Sequence, residues 1–186
     1  MNPSRAIKIS RYLSKHLRHQ PERIGLQLQP GGWVSVEELL NACRLNRFYI
    51  NRAELEEVVA TNDKQRFSFN HNKTLIRANQ GHSVEIDLQL EPKIPPDVLY
   101  HGSAKQFVDS ILKSGLKKMS RHHVHLSSDV TTAKRVGSRR GFPVVFTVDA
   151  KAMCEAGFSF YCSDNGVWLV DFVPPNYLHK ISNVGT

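Results

Sequence analysis

The chain has 186 residues, of which 40% are hydrophobic, and a formal net charge of +8. That length allows one domain or two small ones, and the apolar content supports packed cores, which excludes a disordered chain. The longest apolar runs, such as 144–146 and 167–170, fall far short of the about 20 residues a membrane helix needs.

Met1–Arg5 leads straight into an amphipathic pattern, with no apolar signal-peptide core. Cys43, Cys154 and Cys162 are odd in number and lack a CxxC spacing. A reduced, cytoplasmic setting is therefore expected. Residues 6–19 read as a helix, with Ile7, Leu13 and Leu17 near one stripe and Ser4 as N-cap. Gln20-Pro21 stops it. Arg18 and His19 at its end either offset the helix dipole or form a guanidinium–imidazole pair aimed at a phosphate.

Gly31-Gly32-Trp33-Val34 is a short extended piece. Ser35 then caps a helix over 36–44, with Glu38 as its box partner, and Asn51 caps another over 52–60, boxed by Glu54. Residues 65–69 and 74–77, joined by Asn70-His71-Asn72-Lys73, form a hairpin. The two-residue period sets Phe67 and Phe69 on one face and Arg66 and Ser68 on the other. Three helices followed by a hairpin suggest a winged-helix module. The run Ala78-Asn79-Gln80-Gly81-His82-Ser83 is a ligand loop or a connector, and 91–96 reads as a linker.

Leu99-Tyr100-His101-Gly102-Ser103 reads as a buried strand ending on a histidine, a glycine and a hydroxyl. Gly102 permits close approach of backbone to a ligand, and Ser103 is placed to cap a helix over 104–114. Gly115 ends that helix. Residues 121–127 read as a strand in which Val124 and Leu126 point one way, and Arg121, His123, His125 and Ser127 the other. No carboxylate or Cys stands nearby with zinc-ligand spacing, so no metal is expected. From Lys117 to Arg140 there are seven basic residues against the single acid Asp129, a net of +6. This is either a solvated basic face or a surface for phosphates. A helix over 131–135, a strand over 143–148, a short helix over 150–156 and strands over 158–162 and 167–170 complete a strand-rich second half.

Several motifs stand in order: Leu17-Arg18-His19, Arg66-Phe67, Ile76 to Ser83, Leu99 to Ser103, Arg121 with His123 to Ser127, Val136-Gly137-Ser138-Arg139, Phe160-Tyr161, Asn165 to Leu169, and Pro174-Pro175. As a set they resemble the RNA 2′-phosphotransferase family of KptA type over nearly the whole chain. The resemblance implies an α+β fold. A winged-helix lobe over 1–91 binds RNA and phosphate, and an ADP-ribosyltransferase-like β-sandwich lobe with short helices over 97–186 binds NAD.

The resemblance also implies NAD-dependent removal of an internal RNA 2′-phosphate, as on spliced tRNA. The phosphate attacks C1″ of NAD and expels nicotinamide. The ribose 2″-hydroxyl then attacks phosphorus, giving 2′-hydroxyl RNA and ADP-ribose 1″,2″-cyclic phosphate. The family's catalytic set falls on Arg18, His19, Arg66 and Arg139. NAD binding falls on His101, Gly102, Ser103, Arg121, His125 and Ser127, and contacts to RNA or its phosphate on Gln80, His82, Ser83 and Arg140. A monomer is expected.

In ADP-ribosyltransferases generally a third position, often Glu, activates the acceptor. Here it falls near Val167, which favours an acceptor that is already anionic. Ser103 stands where Thr is common, and Arg140 where His is common. That leaves open which of Arg139 and Arg140 reaches the phosphate, with the spacing from Gly137 favouring Arg139. Two other readings compete: a nucleic-acid-binding module without catalysis, and a transferase that leaves ADP-ribose on a protein or a nucleic-acid end.

Overall fold

A computed structural model describes residues 1–62 and 64–181. The chain divides into two compact units, Met1–Gln89 and Leu90–Thr186, in a mixed α+β architecture. Among the described residues, no helix is long and apolar enough to cross a membrane.

Unit 1 opens with helix α1 (Pro3–Arg18). Its cap is Asn2, whose side chain accepts from the Ser4 N–H, not Ser4 as the sequence suggested. Pro3 explains the shift, because a proline fits the first turn, where its missing N–H has no partner to lose. The short strand β1 (Trp33–Ser35) leads into α2 (Val36–Leu45), and α3 (Arg52–Thr61) follows. The Ser35 hydroxyl accepts from the Glu38 N–H at 3.4 Å. Asn51 and Glu54 form the reciprocal box expected of them. Strands β2 (Phe67–Phe69) and β3 (Leu75–Ala78) make the hairpin, and β1 adds antiparallel to β3, giving the order β1-β3-β2. Ile9, Leu13 and Leu17 of α1 bury against Leu39, Leu55, Phe67 and Ile76 in one core.

In unit 2, β4 (Val98–Ala104) pairs antiparallel with β7 (Pro143–Asp149) over seven residue pairs. This strand runs through Ser103, so Ser103 caps no helix. A short 3₁₀ turn, 105–107, precedes α4 (Val108–Ser114). The long-range ladder with β7 holds the backbone extended where local signals favoured a helix start. β5 (Leu116–Lys117) follows α4. β6 (Val124–Leu126) comes next, then α5 (Val130–Gly137), capped by Asp129. Arg121 therefore lies outside the strand expected to hold it.

After β7 come α6 (Ala150–Glu155), β8 (Phe160–Cys162), β9 (Trp168–Val170), β10 (Phe172–Val173) and β11 (Leu178–Lys180). The strands pair as β11-β7-β4, β6-β9-β8 and β10-β5. Leu99, Phe146 and Val148 of the first sheet share one core with Leu126, Phe160 and Val170 of the second. The segment read as a linker is pinned to this unit, with the Lys93 N–H donating to the Phe160 carbonyl at 2.8 Å.

Candidate active site

Two clusters gather most of the residues singled out from the sequence, one in each unit. In unit 1, helix α1 ends at Arg18 with His19 as its C-cap. The free carbonyls of such a helix end need donors. The Arg18 carbonyl takes two, accepting from the N–H groups of Ser83 at 2.9 Å and Val84 at 3.4 Å. This folds the 79–89 segment over the helix end and sets Ser83 Oγ 2.8 Å from His19 Nδ1.

Arg18 Nη2 donates to the carbonyl of Arg66 at 3.3 Å, and its guanidinium lies 5.9 Å from the Phe67 ring centroid. Arg66 Nη1 donates to Asn62 Oδ1 at 3.2 Å. Asn79 fixes the approach to this strand, its N–H donating to the Arg66 carbonyl and its side chain to the Gln65 carbonyl at 2.7 Å. Arg18, His19, Arg66 and Ser83 thus come together. Gln80 Oε1 is buried with no hydrogen-bond partner among the described residues.

His82 does not join this cluster at the surface. It is 0% exposed, and its Nε2 would stand 3.3 Å from a Cβ placed on Gly32. A phosphate contact requires reach to solvent, so His82 supports the loop from inside.

In unit 2, the N–H groups of Tyr100 and Ser127 donate to each other's carbonyls at 2.8 Å. This double bridge stitches β4 to the end of β6. Beside it, His101 Nδ1 lies 3.0 Å from the His125 carbonyl. A carbonyl only accepts, so Nδ1 carries the hydrogen. Burial lowers the His101 pKa below its ordinary value; the bond to His125 opposes that and the Arg121 charge adds to it. The ring is neutral at pH 7, with Nε2 as an acceptor. Arg121 Nη1 reaches to 3.5 Å from His125 Nδ1.

Arg139 and Arg140 follow α5 in a 3₁₀ turn. Arg121 has its pKa lowered by burial first, then by Arg140, then by Arg139. Of these two, Arg140 thus presses harder on Arg121. None of the three arginines forms an ion pair among the described residues. An uncompensated group of guanidiniums beside a neutral imidazole is an anion-binding arrangement.

Gly102 serves a purpose other than the one its sequence suggested. A Cβ there would stand 1.7 Å from the Ala133 carbonyl oxygen and 2.9 Å from the Gly137 nitrogen. The space is filled by α5, not left for a ligand. A Cβ on Gly137 would in turn meet the Ser103 carbonyl oxygen at 2.8 Å. The two glycines let helix and strand touch backbone to backbone, which sets where Ser138, Arg139 and Arg140 emerge. Nothing in the sequence alone paired Gly102 with Gly137. Asn62, which holds Arg66, carries no local sign of that role, since an Asn just past a helix is ordinary.

The family model described as RNA 2′-phosphotransferase, Tpt1/KptA family, matches residues 4–172. The chain belongs to this family. Relatives named "Probable RNA 2′-phosphotransferase" agree along nearly their full lengths. That of Trichormus variabilis is 64% identical, covering 98% of this chain and all of its own. That of Nostoc punctiforme is 65% identical over 97% of this chain and all of its own. That of Streptomyces griseus is 56% identical over 96% of this chain and 98% of its own. The match spans both units, so both clusters belong to the family's chain.

Proposed function

We propose that this RNA 2′-phosphotransferase removes an internal 2′-phosphate from RNA, as on spliced tRNA, with NAD as co-substrate. In this reading unit 1 is a winged helix that receives the phosphorylated RNA, and unit 2 is an ADP-ribosyltransferase-like fold that receives NAD. The carrying observation is the group of Arg121, Arg139 and Arg140, which form no ion pair among the described residues, beside the neutral His101. A dinucleotide brings a pyrophosphate for the arginines and ribose hydroxyls for His101 Nε2 to accept from. Ser103, His125 and Ser127 complete its polar surroundings.

NAD supplies an electrophilic ribose carbon, C1″, and a leaving group, nicotinamide. Arg18 and Arg66 hold the 2′-phosphate dianion, with Ser83 and Gln80 beside them, and a phosphate oxygen forms the bond to C1″ as the bond to nicotinamide breaks. No residue has to activate this nucleophile, which agrees with an apolar Val167 where other transferases carry an acid. In the second step the ribose 2″-hydroxyl attacks phosphorus and gives its proton to His19, which passes it to the RNA 2′-oxygen as the bond from that oxygen to phosphorus breaks. Arg66 and Arg139 stabilise the charge on the phosphoryl oxygens, with Arg140 nearby.

The test is a mass spectrum of a 2′-phosphorylated oligoribonucleotide after incubation with the protein, with and without NAD. Loss of the phosphate only when NAD is present is the expected result. An unchanged mass supports a binding module, and a stable gain of ADP-ribose supports a transferase to nucleic acid; either overturns the proposal.

A further inference from the structure

The exposed face of α1 carries a charge pattern that the catalytic residues alone do not require. The helix contains Arg5, Lys8, Arg11, Lys15 and Arg18 and no Asp or Glu. By contrast α2 carries Glu37 and Glu38, and α3 carries Glu54, Glu56 and Glu57. At 3.6 residues per turn, Lys8, Arg11, Lys15 and Arg18 fall within a sector of about 80°. Buried Ile9, Leu13 and Leu17 lie on the opposite side. Lys8, Arg11 and Lys15 are exposed. Lys8, Arg11 and Lys15 form no ion pair among the described residues, and Lys8 Nζ lies 6.0 Å from the centroid of the Phe48 ring.

Neighbours three and four apart on a helix repel when like-charged. The pairs Lys8–Arg11, Arg11–Lys15 and Lys15–Arg18 all do so. A merely solvated face would gain from opposite charges at these spacings, as α3 has in Arg52 and Glu56, paired at 3.0 Å. This stripe keeps one sign and runs about 15 Å along the axis from Lys8 to Arg18, ending at the Arg18–His19 pair. That length suits a few consecutive phosphates of one strand.

We infer that Lys8, Arg11 and Lys15 form a track for the RNA backbone flanking the 2′-phosphorylated nucleotide. The inference rests on the assignment of that nucleotide to the Arg18–His19 cluster. The track reads phosphates and no bases, so it favours longer RNA over short fragments whatever their sequence.

The experiment compares the wild-type protein with the triple variant Lys8→Gln, Arg11→Gln, Lys15→Gln. A labelled single-stranded oligoribonucleotide with one internal 2′-phosphate is titrated by anisotropy at several salt concentrations. Turnover of a 2′-phosphorylated dinucleotide with NAD is measured alongside. Each lost phosphate contact removes about 0.7 from the slope of log affinity against log salt. The variant's slope should be shallower by about 2, with an affinity loss on the order of tenfold to a hundredfold at low salt. Dinucleotide turnover should be unchanged, and the melting temperature unchanged or higher, since the repulsion is relieved.

An unchanged slope overturns the track, as does an equal loss in a control carrying Lys113→Gln, Lys151→Gln and Lys180→Gln. If the wild type turns over no dinucleotide while the slope still shifts, the track stands and the enzymatic proposal fails. If turnover proceeds and the slope does not shift, the track alone fails.

Discussion

In unit 1 the candidate side chains are held by hydrogen bonds, to backbone carbonyls and to one another. Arg18 reaches the Arg66 carbonyl, Asn62 holds Arg66, and Ser83 sits against His19. In unit 2 the matching work falls to a missing side chain. Gly102 and Gly137 bring β4 and α5 into backbone contact, and Arg139 and Arg140 follow from that contact. The first arrangement is many weak, separable ties. The second is one steric fit that no tie can replace. Substitutions should therefore act differently in the two units.

The largest expected effect is on the chemistry and compares one arginine from each unit. Loss of one preorganised donor to developing charge costs on the order of 10²–10³ in rate. In the proposed reaction Arg66 and Arg139 act mainly in the second step. Arg66→Ala and Arg139→Ala should each slow that step and build up RNA heavier by one ADP-ribose, which wild type shows little of. Time courses at saturating RNA and NAD give the answer. If both steps slow together and added RNA restores the rate, these arginines only bind. Arg140→Ala, run in parallel, decides which of the adjacent arginines carries the effect.

Stability should separate the units next. Gly102→Ala places a methyl 1.7 Å from a backbone oxygen, which neither a rotamer change nor a small shift relieves. Overpacking costs about 1–3 kcal/mol and sometimes more; this site should fall at or beyond the upper end, with a melting temperature lower by roughly 10–20 °C. In unit 1, Asn51→Ala removes the cap of α3 and half of its box, worth about 1 kcal/mol. Thermal melts of the two variants check the order. A Gly102→Ala protein as stable as Asn51→Ala would mean that α5 yields easily, and the steric account of unit 2 would be wrong.

The same contrast governs what could be read from the sequence. The helices of unit 1 announce themselves locally: Ser35 and Asn51 are caps within three residues of the groups they satisfy. The hairpin was legible from its turn residues and alternation. In unit 2 the deciding partners are far apart in the chain. Ser103 looked like a cap because its neighbours suit a helix, but pairing with Val144 holds it in a strand. Strands β5, β10 and β11 are two or three residues long and exist only because of their partners. His82 looked like a ligand group in a polar loop, and only the packed structure puts it inside. The clusters themselves were legible through the motif set, because a motif records side chains whatever the path that brings them together.

The smallest expected effect is on acid stability, and it sorts the units by type of group. His101 and His123 in unit 2, and His16 in unit 1, all have pKa values lowered from 6.5, in each case chiefly by burial. For such a group the unfolded chain takes up a proton first as the pH falls past 6.5. The unfolded state then binds more protons, and stability falls as the pH drops further, until the folded pKa is reached. Glu54 in unit 1 has a pKa lowered from 4.5, first by its hydrogen bond from Arg5 and then by the Asn51 N–H. Its contribution is intact above 4.5 and fades below it. Urea denaturation from neutrality downward should therefore show a first decline below 6.5 and a second below 4.5. His101→Gln removes one of the three histidines that cause the first decline and leaves the second untouched. A shallower slope between 6.5 and 4.5 in that variant, with the lower decline unchanged, is the expected result. If the slope does not move, the early acid sensitivity belongs to His16 and His123, and the buried, neutral state assigned to His101 loses its support.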